Sequence, residues 1–475
     1  MIEQRNFFIN GQWVAPHQPN DFVVTDPSTE EASAVISLGG RDDVEDAIAA
    51  AKNAFRLWSK TSPEQRLQYV QKIALIYNKN IDRLAAAISL EMGAPIDLAK
   101  NAQAKAGAHH INTFIEVFKE FKFIRPLINE TTQGRLAFNP IGVVGLITPW
   151  NWPMNQVTLK VIPALLAGCT MILKPSELAP LSSMIFTEIL AEAGLPDGVF
   201  NLVNGDGLGV GTYLSKHEDI EMISFTGSTR AGKLISKNAA ETLKRVSLEL
   251  GGKGANIVFA DCDDDAIARG VRQCFRNSGQ SCNAPTRMLV ERPLYEKAQL
   301  IAAKVASETT VASAHSVGEH LGPVISKTQF DKIQQLIQSG IDAGATLLAG
   351  GVGRPAGMQR GYFIRPTVFA DVTEGMRIFN EEIFGPVLSM MPFDDEEEAV
   401  QLANNTKYGL TNYIQSQDKE RCTRIALKLR SGMVQINGIS APAASFFGGV
   451  KYSGRAREGG HWGIEEFLDS KAISI

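Results

Sequence analysis

Between residues 43 and 58 the apolar positions Val44, Ala47, Ile48, Ala51, Ala54, Phe55 and Trp58 recur every three or four residues, which predicts an amphipathic helix. A second helix is signalled at Ser62-Pro63-Glu64-Gln65, with serine as N-cap, proline at the first helical position and glutamine three residues after the cap. From residue 141 the pattern changes. Short apolar runs at 141–148, 170–173, 199–203, 220–225 and 246–250 alternate with helical stretches and predict strands joined by helices. A further series follows, with strands near 288–290, 363–369 and 387–392 and helices from 294 and at 396–404. Such alternation requires right-handed crossovers and parallel sheets covered on both faces, so the chain is expected to be α/β with two such domains. Residues 135–139 and 469–475 read as short extra strands outside either sheet, and an exposed edge of that kind usually finds a partner. No internal repeat or low-complexity tract interrupts the pattern.

Composition narrows the classes. The 475 residues leave room for about three average domains, and 44% apolar content excludes a disordered chain. With 47 basic and 51 acidic residues spread along the chain, the net charge of −4 offers no basic field for nucleic acid and no polybasic segment for a membrane surface. The longest uncharged apolar run has 13 residues, between Lys160 and Lys174, short of the ~20 that span a bilayer, and is expected to be buried. The opening MIEQRNFFINGQW lacks the apolar core of a signal peptide. Five cysteines (169, 262, 274, 282 and 422) form no CxxC pair and no even framework, so neither disulfides nor a metal site is expected, and a reducing cytoplasm fits.

The candidate chemistry lies at the ends of the predicted strands. Cys282 sits in Gly279-Gln280-Ser281-Cys282-Asn283-Ala284-Pro285-Thr286-Arg287, whose polar, glycine-bearing surroundings predict a loop that exposes sulfur. Leu248-Glu249-Leu250-Gly251-Gly252-Lys253 places a carboxylate at the end of an apolar strand. Thr148-Pro149-Trp150-Asn151-Trp152-Pro153 closes another, which puts an amide where open α/β sheets bind ligands. The next strand delivers Lys174-Pro175-Ser176-Glu177. Ser224-Phe225-Thr226-Gly227-Ser228-Thr229 ends a strand and opens a helix, whose free N–H groups suit a pyrophosphate. The run Gly227 to Lys233 continues into Leu234 where a nucleotide P-loop needs serine or threonine, which excludes that reading. Glu381-Glu382-Ile383-Phe384-Gly385-Pro386-Val387 sets two acids before a further strand. Taken singly, each has a plainer reading as a buried thiol, an Asx turn, a capped helix or a solvated strand end.

Taken together and in this order, with Asn437, Phe447-Gly448-Gly449 and Lys451 near the end, the motifs resemble the NAD(P)-dependent aldehyde dehydrogenase superfamily over nearly the whole chain. The resemblance implies a Rossmann-like NAD-binding domain of residues 1–121 and 142–251, rejoined by about 451–465. It implies a catalytic domain of residues 252–450, and oligomerisation strands at 122–141 and 466–475 that build a homodimer or a tetramer. It implies that Cys282 attacks the aldehyde, that Asn151 donates to the oxyanion, and that Glu249 activates the water that hydrolyses the thioester once hydride has passed to NAD. Cofactor contacts carry over to Thr148, Pro149, Trp150, Lys174, Ser176, Glu177, Gly207, Phe225, Gly227, Ser228, Leu250, Gly251, Glu382 and Phe384. Glu177 beside the ribose 2′-hydroxyl favours NAD, with NADP weaker.

Trp152, Gln156, Leu159, Ser281, Asn283 and Phe447 are the implied tunnel lining. Leu159 replaces the arginine usual in succinate-semialdehyde enzymes and removes one wall of the aromatic cage that betaine-aldehyde enzymes build. A neutral aliphatic or aromatic aldehyde is therefore expected, with a semialdehyde or betaine aldehyde as the alternative. The Glu249 carboxylate favours a free acid product over transfer to coenzyme A. A cysteine hydrolase would need a histidine partner, and the seven histidines (17, 109, 110, 217, 315, 320 and 461) lie in no such motif. A non-catalytic NAD-binding or structural protein is the remaining class, against which the intact Cys282, Glu249 and Asn151 speak.

Overall fold

The computed structural model describes residues 1–129 and 133–474. Its first large sheet has seven strands in the order Arg245–Glu249, Met222–Thr226, Val143–Ile147, Thr170–Lys174, Phe200–Leu202, Phe7–Ile9 and Gln12–Val14. The five central members from 143 to 249 are parallel, as their alternation with helices predicts. The chain runs outward from Val143–Ile147 in one direction for two strands, then returns to that strand's other side for the next two. A crevice therefore opens at the carboxyl ends between Val143–Ile147 and Met222–Thr226, the switch point where such sheets hold ligands.

The parallel sheet carries an antiparallel addition at its edge, which the sequence pattern did not single out. Phe7–Ile9 and Gln12–Val14 form an antiparallel hairpin joined to the sheet, turned by Asn10 (φ 51°) and Gly11 (φ 78°). Asn-Gly supplies the two left-handed residues that a tight hairpin turn needs. Three-residue strands carry too little alternation to be read as strands on their own.

The second large sheet runs Thr346–Ala349, Thr367–Ala370, Val387–Phe393, Arg287–Glu291, Ala255–Val258, Thr411–Gln415 and Met433–Ile436, parallel except for its first strand. The strand expected near 363–369 begins only at Thr367, after Pro366, which has no N–H to give a ladder. Residues 250–254 are the short link between the two large sheets. Leu468–Ile473, Arg135–Pro140 and Ile124–Pro126 make a separate antiparallel sheet. Residues 130–132 and Ile475, which fall within the expected extra strands, lie outside the described residues.

The helix Pro153–Ala167 fixes the depth of the site. Proline at its first position and a left-handed Gly168 (φ 95°) at its end bound it, and all its residues but Asn155 are buried. The helix Lys105–Lys119 packs along it. Among the described residues no helix is long and apolar enough to cross a membrane.

Candidate active site

Three left-handed residues in succession, Asn277 (φ 56°), Ser278 (φ 55°) and Gly279 (φ 71°), bend the chain into the Cys282 loop. For the two that are not glycine this costs roughly 1–2 kcal/mol each, so the surroundings must hold them. Ser278 Oγ donates to the Gly322 carbonyl at 2.7 Å, and Gln280 Oε1 accepts from Ile325 N–H at 3.0 Å. A side chain at Gly279 would run into the Gly385 backbone, and one at Gly252 would meet the Cys282 carbonyl at 2.1 Å. The link between the two sheets is thus pressed directly against the loop.

The Cys282 residue is half-buried and lies in the wall of a cavity of about 660 Å³. The expected loop is present, and Cys282 opens on that cavity. Burial pushes the thiol above its ordinary range, and the nearby carboxylates of Glu249 and Glu382 push it further. Asn151 Nδ2 donates to the Gln280 carbonyl at 3.0 Å, two residues before Cys282, which commits one amide hydrogen and leaves the second.

Glu249 presents the opposite case. Its carboxylate is buried, and among the described residues neither oxygen accepts a close hydrogen bond, the Gly449 N–H alone acting on it from the backbone. Burial holds its proton well above the usual carboxylate range, Glu458 adds to this, and Lys160 and Arg457 oppose it. Lys160 Nζ forms a buried ion pair with Glu458 and also donates to Ser224 Oγ at 3.2 Å. Glu458 Oε2 has no partner, and Glu458 lines the cavity beside Cys282. A group of unmatched carboxylate oxygens of this kind suits water that must lose a proton.

The expected cofactor residues gather along the carboxyl edge of the first sheet, from Thr148 to Trp150, Lys174 to Glu177, Gly207, Phe225 to Ser228, and Leu250 to Gly251. Ser228 caps the helix Thr229–Ala240, accepting from Ala231 N–H at 3.2 Å, so that its hydroxyl hydrogen and the first helical N–H groups remain for an anion. A side chain at Gly207 would meet nothing within 4 Å, which fits an open cradle there. Lys174 Nζ already donates to the carbonyls of Gly205 (2.5 Å) and Pro175 (2.9 Å) and lies 3.5 Å from Glu177 Oε2. Glu382 crosses from the other sheet to accept from Gly252 N–H at 2.7 Å. Phe384 sits at φ 61° with its ring edge-on to Trp150, centroids 5.4 Å apart. The donor set, an N-capped helix with free N–H groups, a carboxylate on each sheet edge and an aromatic pair between them, matches the anionic, hydroxylated and aromatic parts of a dinucleotide.

The cavity wall holds Trp152, Gln156, Leu159, Ser281, Asn283 and Phe447. Trp152 Nε1 donates to Ser281 Oγ at 2.9 Å, so two expected lining residues are tied to each other next to the sulfur. The wall also takes in residues that the motifs do not name, including His109, His110, Thr113, Phe114, Gln273, Arg276 and Gln435. The Arg276 guanidinium lies 5.7 Å from the centre of the Trp152 ring. His110, hydrogen-bonded to Asn155 at 2.7 Å, is lowered to about 4 by burial and stays neutral. The helical spacing of His110, Thr113 and Phe114 on one face was the available signal for that wall, but it points equally to ordinary core packing.

The sequence model of the aldehyde dehydrogenase family matches residues 13–473. The chain belongs to the aldehyde dehydrogenase family. An aldehyde dehydrogenase of Bartonella henselae has the same fold with a TM-score of 0.99 and 66% identity, over 100% of both chains. Aldehyde dehydrogenase C of Pseudomonas syringae, solved as a cysteine-to-alanine mutant with NAD+ and octanal, is 45% identical with a TM-score of 0.97, over 99% of this chain and 96% of its own. A 3-succinoylsemialdehyde-pyridine dehydrogenase from a Pseudomonas species is 47% identical over 100% of this chain and 99% of its own length. The two α/β sheets are thus those of an aldehyde dehydrogenase.

Proposed function

We propose that this aldehyde dehydrogenase oxidises a neutral aliphatic or aromatic aldehyde to the free acid with NAD, using Cys282 as nucleophile, Asn151 as oxyanion donor and Glu249 as general base. One observation carries the reading: Cys282, in the cavity wall, lies within electrostatic reach of the buried Glu249 carboxylate, and its loop is hydrogen-bonded by the Asn151 amide, which has one hydrogen to spare. Cys282 Sγ gives up its proton and attacks the carbonyl carbon, and the second hydrogen of Asn151 Nδ2 steadies the oxygen that becomes negative. NAD, when bound, accepts the hydride that leaves the substrate carbon. Glu249 then takes a proton from water as that water attacks the thioester on Sγ. The carboxyl-edge residues from Thr148 to Gly251, with Glu382 and Phe384, hold the cofactor, and Glu177 disfavours a 2′-phosphate by charge repulsion.

The substrate reading rests on the wall. Glu458 is the sole carboxylate among the described lining residues and is already paired with Lys160, so a quaternary ammonium finds no free counter-charge there. Octanal, bound by the Pseudomonas syringae relative, and the pyridine semialdehyde in the other relative's name carry no fixed charge. Arg276 favours a second reading, a semialdehyde whose distant carboxylate meets its guanidinium. The division into residues 1–121 with 142–251, 252–450 and the outer strands, a homo-oligomer built through those strands, and a cytoplasmic location belong to the same proposal.

The test is NADH appearance, in parallel with NADPH, across neutral, carboxylated and cationic aldehydes without coenzyme A. Neutral aldehydes should give the highest kcat/KM and NAD should be preferred. A preference for carboxylated aldehydes that falls at least tenfold in Arg276→Gln would replace the neutral reading with the second one, and no turnover with any aldehyde would sink both.

A further inference from the structure

Opposite the Cys282 loop the chain departs from regular helix. Residues Ala99–Ala104 form a π-helical turn, a rare geometry that tends to occur where a side chain must be aimed. The side chain it aims is Gln103, 1% exposed, whose Nε2 donates to Asn277 Oδ1 at 2.8 Å across 174 residues of sequence. Asn277 Nδ2 in turn donates to the Asn151 carbonyl at 2.9 Å and to the Gln280 carbonyl at 3.3 Å. Asn151 Nδ2 closes the ring on the same Gln280 carbonyl.

The direction of this network follows from its chemistry. The Asn277 nitrogen faces two carbonyl oxygens, which can only accept, so its oxygen must face Gln103 and Gln103 must donate. Asn277 also occupies the first of the three left-handed positions that shape the loop. The Asn277 amide therefore holds the backbones of both partners of the attack, and Gln103 holds that amide, its Nε2 also reaching the Asn151 carbonyl at 3.5 Å.

We propose that Gln103 is a positioning residue for the acylation half of the reaction, fixing Asn277 so that Asn151 and the Cys282 loop keep their mutual register before attack. This rests on the roles given above to Asn151 and Cys282. Gln103 touches neither substrate nor cofactor in this scheme, and it has no part in thioester hydrolysis, which belongs to Glu249.

The test is the pre-steady-state burst of NADH with a saturating neutral aldehyde, measured for wild type, Gln103→Leu, Gln103→Glu and Asn151→Ala, alongside thermal unfolding. Gln103→Leu should lower the burst rate constant by about tenfold to a hundredfold, with KM changed less than about threefold, since misplacement of about 1 Å carries a loss of that order. Gln103→Glu should match it at alkaline pH, where a carboxylate cannot donate to Asn277. Relative to wild type at each pH it should recover as the buried acid takes up a proton and becomes a donor again.

A burst within twofold of wild type in Gln103→Leu, while Asn151→Ala loses it, would overturn the positioning role alone. A normal burst in Asn151→Ala would overturn the oxyanion assignment and this inference with it. If Gln103→Leu does not fold, Gln103→Glu decides: the absence of any recovery on acidification, or full activity at every pH, overturns the proposal.

Discussion

The two sets of buried polar groups around Cys282 are built on opposite plans. In one, Gln103, Asn277, Asn151 and Gln280 close a ring of hydrogen bonds around a left-handed turn. In the other, neither Glu249 oxygen accepts a close hydrogen bond among the described residues, and Glu458 keeps one oxygen free beside its ion pair with Lys160. A buried polar group without a partner costs about 1–3 kcal/mol, more when charged, so the second set is kept at a cost to stability. The difference follows the two chemical steps. Attack on a carbonyl needs donors held still at a fixed place, whereas hydrolysis needs acceptors that are still available when water enters.

The broadest break in that comparison removes what the two sets share. Cys282→Ala should abolish both burst and turnover, by at least about 10³-fold, while thermal unfolding stays close to wild type. A smaller loss would mean that the sulfur is not the nucleophile. Next, Glu249→Gln should leave the burst within a few fold and lower steady-state turnover by ~10²–10⁴, the range of a lost general base. Equal losses in both would erase the division between the sets.

The pH response sharpens the comparison further. Both Cys282 and Glu249 hold their protons above their ordinary ranges, and each acts only after losing one, so burst rate and turnover should both rise as pH is raised from neutrality. Glu249→Gln should flatten the response of turnover and leave that of the burst intact. A burst that falls over the same interval would contradict the burial-driven shift at the sulfur.

Much of this arrangement was legible in the chain because strand ends are local. Thr148 to Asn151, Lys174 to Glu177, Phe225 to Ser228 and Glu249 to Gly251 each follow an apolar run directly, so their gathering at one edge follows from the alternation itself. Lysines at the ends of an apolar run read as its solvated borders, yet Lys160 and Lys174 are both buried. Glu458 neutralises the first, and the second is gripped by backbone carbonyls, partners that lie 298 and 31 residues away. Gln103 was equally silent. A lone glutamine in an alanine-rich helix carries no signal until the fold brings Asn277 to it, and a π turn has no periodicity of its own to read.

That π turn also constrains how the chain could have changed length. It is a helix holding one residue more than a regular turn would, between the anchors at Met92 and Lys105. Each residue of an α-helix advances about 100° around the axis. Loss of a single residue from 99–102 would restore regular winding and swing the side chain at position 103 away from Asn277, although every amino acid in the network were kept. In this segment a descendant can tolerate many exchanges of one alanine for another small residue, but an insertion or deletion reaches Asn277, at the head of the nucleophile's loop, from 174 positions away.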